Sequence, residues 1–113
     1  MQKALFGIVF LLLAASSVAA RFYSPAQLNQ MVDSGNYPQL GDVAKEESKS
    51  VAWDQCLARI QAISGAVAVD YPVEATVDTA SVKTVKMWTT AGLLTATCSG
   101  SNKELTITQT PYL

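Results

Sequence analysis

The stretch Leu93-Leu94-Thr95-Ala96-Thr97-Cys98 alternates with a period of two. Leu94, Ala96 and Cys98 fall on one side of an extended chain, and Leu93, Thr95 and Thr97 on the other. Downstream, Ser99-Gly100-Ser101-Asn102 is turn-forming, and Leu105 with Ile107 marks a further strand. Upstream of the turn at Gly92, Val85, Met87 and Thr89 share one face, while Trp88 points the other way beside Lys86 and Thr84. Before a turn at Thr79-Ala80-Ser81, Val73-Ala75-Val77 alternates with Glu74-Thr76-Asp78. Four runs joined by short loops predict an antiparallel meander. Threonine agrees, with none before Thr76 and ten from there on. A β-branched residue so distributed marks a sheet-forming second half and a helical first half.

Ahead of the meander, Trp53, Cys56, Leu57, Ile60, Ile63 and Val67 recur at spacings of three and four, with Asp54, Gln55, Arg59 and Gln61 opposite. This predicts an amphipathic helix capped by Ser48 or Ser50, weakened by Gly65 and closed off by Pro72. Cys56 lies on its apolar stripe and Cys98 on an apolar strand face. The chain has two cysteines, so an intramolecular pair between them would fasten the helix to the sheet. No Cys-x-x-Cys spacing suggests a redox pair. The expected architecture is a small two-layer α+β domain, with one amphipathic helix on a four-stranded antiparallel meander, spanning residues 50–113.

A short helix is predicted to precede this core, within residues 21–37. Ser24 and Gln27 form a capping box around Pro25, Tyr23 and Leu28 occupy the staple positions, and Gly35 stops the helix. Its apolar stripe is only Leu28, Met31 and Val32, so it must dock on something to persist. Residues 38–49 have no apolar periodicity and read as a connector.

Residues 1–20 have the layout of a secretory signal peptide: Lys3, an apolar run from Ala4 to Ala15, and small residues through Ala20. Twelve apolar residues reach about 18 Å as a helix, short of a hydrocarbon core of roughly 30 Å. Cleavage before Arg21, no remaining membrane span and a periplasmic or secreted destination are the expectations. The order of signal, short helix, connector, helix and terminal strands resembles small exported bacterial proteins as a broad class, and no motif carries a specific activity across.

Removal of Lys3 leaves seven basic against nine acidic residues, a net charge of −2. So mild a charge does not point to nucleic acid or an anionic membrane as partner. The absence of histidine excludes serine-histidine and cysteine-histidine catalysis and His-ligated zinc. Asp42, Glu46 and Glu47 lack the spacing of a calcium loop. Ser48, Lys49 and Ser50 sit where nothing desolvates a lysine into a base. No cofactor is expected. Glu74 and Asp78, on one strand face by simple alternation, are the only basis for a small carboxylate-dependent hydrolase.

The threonines around Thr95 and Thr106 read as a wetted sheet face. The aromatic and apolar residues Phe22, Tyr23, Leu28, Met31, Trp88 and Tyr112 have two readings. They form a partner-binding patch, or the 22–35 segment folds back over the sheet's second face and covers Trp88. The leading expectation is a non-catalytic exported domain that binds another exported protein, as an envelope accessory or an enzyme inhibitor.

Overall fold

The computed structural model describes residues 21–113, so the signal-peptide expectation for residues 1–20 lies outside the described residues. Helix α1 spans Pro25–Asp33. The Ser24 hydroxyl accepts from the Gln27 amide at 3.1 Å, and the Ser24 amide donates to Gln27 Oε1 at 2.8 Å, completing the capping box. At the other end Gly35 adopts φ +78°. The Asn36 amide then donates to the Met31 carbonyl at 2.8 Å and the Gly35 amide to the Val32 carbonyl at 3.1 Å, which closes a Schellman cap.

Helix α2 spans Trp53–Val67 and buries Cys56 and Ile60. Its N-cap is Ala52, which makes no side-chain bond, so the predicted serine cap is absent. Ser48 and Ser50 instead belong to a strand, β1, over Lys45–Ser50. Strands β2 (Val73–Asp78), β3 (Val82–Thr89), β4 (Gly92–Ser99) and β5 (Glu104–Thr110) form the expected meander. The sheet is nevertheless five-stranded and antiparallel, in the order β1-β5-β4-β3-β2. Five of the twelve residues of the predicted connector, 45–49, are therefore strand. Strand β1 pairs with β5 from Lys45 opposite Gln109 to Ser50 opposite Glu104. All six of its residues are exposed, so it carries no apolar alternation to read. Main-chain pairing supplies its partners, and its charged side chains suit a sheet edge, where they discourage pairing with other chains.

Each face of the sheet has its own core. On one, α2 packs against β3, β4 and β5. There Cys56 and Ile60 meet Val85, Met87, Ala96, Cys98 and Leu105, with Leu94 and Ile107 at the margin, as the strand alternation predicts. The Cys56–Cys98 disulfide is formed, with the Cα atoms 5.9 Å apart. On the opposite face Leu28 and Val32 of α1 join Trp88, Leu93 and Tyr112.

Gly92 is required at its turn. Its φ is +153°, and a Cβ there would lie 2.6 Å from the Thr110 carbonyl oxygen.

A bulge interrupts the β2–β3 pairing between Ala75 and Val77. Glu74 pairs with Lys86 before it, and Asp78 with Lys83 after it. Because Lys86 and Lys83 differ by an odd number of residues, the extra residue turns Glu74 and Asp78 to opposite faces.

Candidate binding surface

The surface of interest lies where the segment before α1, the segment after it and the C-terminal residues run side by side. The Arg21 amide donates to the Tyr112 carbonyl at 3.2 Å, and the Leu113 amide to the Gln39 carbonyl at 2.9 Å. The Gly41 amide reaches the Pro111 carbonyl at 2.8 Å. These main-chain bonds hold residues 39–41 beside residues 111–113.

Three of the six residues expected on a partner surface are buried. Leu28, Trp88 and Tyr112 are core residues in the docked arrangement. The physical reason is α1, whose narrow stripe lands on the face that Trp88 presents. Tyr112 is fastened further: its hydroxyl donates to the Thr89 carbonyl at 2.8 Å. Its ring meets Tyr23 edge-on at 5.3 Å between centroids. Burial holds the Tyr112 phenol well above its ordinary value, with the neighbouring Tyr23 and Tyr71 adding to the shift.

The other three residues stay at the surface. Phe22 is 68% exposed, while Tyr23 and Met31 are half-buried. Tyr23, Met31 and Leu113 line a depression of about 380 Å³ that also takes in Tyr37.

Tyr37 is the residue that sequence reasoning passed over. Its ring lies 5.3 Å from that of Trp88, tilted by 31°, and remains about half exposed. Its hydroxyl donates to the Glu74 carboxylate, with Oε1 at 3.2 Å and Oε2 at 3.1 Å. That bond raises the phenol above its usual pKa, and desolvation and the carboxylate's charge act in the same direction. The local signal was an aromatic immediately before Pro38 and just after the helix stop at Gly35, where proline favours an extended chain.

Glu74 thus faces Tyr37 and the Trp88 side, whereas Asp78 lies on the α2 side with Lys83 Nζ at 3.7 Å. The two carboxylates are not brought together. The threonine face is present: Ser48 and Thr106 hydroxyls lie 3.1 Å apart, and those of Thr84 and Thr97 3.2 Å apart, so they largely satisfy one another. Among the described residues no group of three or more potential metal-ligating side chains occurs. None of the described helices is long and apolar enough to cross a membrane.

The fold and site define a disulfide-fastened α+β domain whose sheet carries a helix on each face. No protein-family model, curated protein or solved structure matches the chain.

Proposed function

We propose that this is a small exported, non-catalytic domain that binds another exported protein, as an envelope accessory or an inhibitor of an extracytoplasmic enzyme. The observation that carries this reading is the depression lined by Tyr23, Met31, Tyr37 and Leu113, of which Tyr37 and Leu113 are more than 40% exposed, with the exposed Phe22 next to Tyr23 in the chain. Aromatic side chains grouped on paired backbone around a depression have the character of interface anchors, because ordering them costs little further entropy. The disulfide is consistent with an oxidising compartment. A hydrolase using Glu74 and Asp78 has no geometric support, since those side chains lie on opposite sides of the sheet.

The test uses the protein as bait in an envelope extract of the producing cells, with captured proteins quantified by mass spectrometry. A partner retained by the native protein should fall at least about tenfold with Phe22→Ala plus Tyr37→Ala, the loss expected when interface anchors are truncated. An identical captured set for both baits overturns the proposed surface. Export is read by intact mass, which should match a chain starting at Arg21 or one residue earlier. Full-length protein in the membrane fraction overturns export with cleavage.

A further inference from the structure

Helix α2 is narrower than the five-stranded sheet beneath it and leaves a groove along each flank. The groove toward β2 measures about 560 Å³, and its charges, Asp78 and Lys83, pair with each other. The groove toward β1 measures about 610 Å³ and differs in chemistry. Leu105 and Ile107 form its floor and Ala62 and Ile63 its helical wall, with Arg59, Lys49 and Glu47 at the mouth.

Register explains this arrangement. Lys49 lies opposite Leu105 and Glu47 opposite Ile107, so the charged edge strand stands directly beside an apolar floor. The methylene stems of Lys49 and Arg59 extend the apolar surface while their charged ends stay in water. Among the described residues neither cation takes part in an ion pair. Two cations against one carboxylate leave the mouth with a net charge of +1.

We infer that this groove binds a single-chain amphiphile with a monoanionic head, a fatty carboxylate, its tail along Leu105, Ile107 and Ile63 and its head between Arg59 and Lys49. The volume falls within the range of roughly 300–1,000 Å³ typical of small-molecule sites, and an apolar lining with a few convergent polar groups is their usual makeup. Arg59 supplies a planar fork suited to a carboxylate, and Lys49 supplies a point charge. Glu47 opposes the head and so limits affinity. This site is independent of the aromatic surface proposed for a protein partner.

Dodecanoate, kept below its aggregation limit, is the probe, with methyl NMR and calorimetry as readouts. Saturable one-to-one binding should shift the methyl signals of Ile63, Leu105 and Ile107. Arg59→Gln with Lys49→Gln should weaken binding about tenfold, and Glu47→Gln should tighten it about threefold, the sizes expected for exposed charge contacts. All three positions are exposed, so the variants keep the fold. Dodecanol should bind more weakly than dodecanoate to the native protein and equally to the double variant. Absence of shifts at those methyls overturns the inference, as does unchanged affinity in the double variant or weaker binding in Glu47→Gln.

Discussion

On one face of the sheet a fifteen-residue helix is bonded covalently to β4 through Cys56 and Cys98; on the other, a nine-residue helix is held by its caps and a few large side chains. The first core is broad, drawing on α2 and β3 to β5, with Val51 at its edge. The second is small and aromatic, centred on Leu28, Trp88, Leu93 and Tyr112. A short helix buries little area, so its ends must be self-sufficient. The capping box and Schellman cap satisfy main-chain groups that burial alone would not. Asn29 adds a tie, its side-chain amide donating to the Asp70 carbonyl at 2.9 Å. A long helix with a disulfide can leave its N-cap unsatisfied by any side chain, as α2 does at Ala52. The difference makes the α2 face the stability anchor and the α1 face the more separable layer.

Breaking the stronger side is the first test. Replacing Cys56 and Cys98 with Ala opens a cross-link between residues 42 apart, and should lower unfolding free energy by about 2–5 kcal/mol in urea titration. A loss under about 1 kcal/mol would show that the covalent link does not set the difference between the faces.

Leu28→Ala attacks the weaker side. Leu28 is fully buried, so its truncation should cost about 2–4 kcal/mol. The change should be local in hydrogen exchange: faster exchange in α1, retained protection in α2, and red-shifted Trp88 emission in a Trp53→Phe background. Equal loss of protection in both helices would make the two faces one cooperative unit.

The smallest effect concerns Tyr112. Tyr112→Phe leaves the Thr89 carbonyl without its phenol donor and should cost about 1–2 kcal/mol near neutral pH. Its pH dependence has a definite sign. The folded phenol pKa is raised, so its stabilisation is complete below the ordinary tyrosine value of about 10 and is lost as pH rises above it. Alkaline unfolding titrations should therefore fall less steeply above about pH 10 in the Phe variant. Identical slopes would remove the phenol from the account of the second core.

These comparisons show where local pattern ends. Ser24 with Gln27, Gly35, and the parity of Val85, Met87, Leu94, Ala96 and Cys98 are legible because each is set within a few residues of chain. Burial of Trp88 was legible only as one of two alternatives. Its parity excludes the α2 face without naming what covers the other. The surface patch was half legible. Phe22, Tyr23 and Met31 stand where an apolar N-terminal segment puts them, but Tyr37 meets Glu74 across 37 residues, and no local spacing encodes that meeting.

The sequence by itself determined the α2 stripe, the strand parities and hence the side on which Cys56 could meet Cys98, because side-chain periodicity reports which face is apolar. Tertiary structure alone decided three things. The charged segment Lys45–Ser50 became a strand because its stabilising partners are the main-chain groups of β5, which leave no mark on side-chain pattern. Asp78 turned away from Glu74 because one bulged residue reverses every later side chain in a strand. Leu28 came to rest on Trp88 because a chain segment with a narrow apolar stripe settles on whichever uncovered apolar surface it can reach, and that choice is made by the assembled sheet.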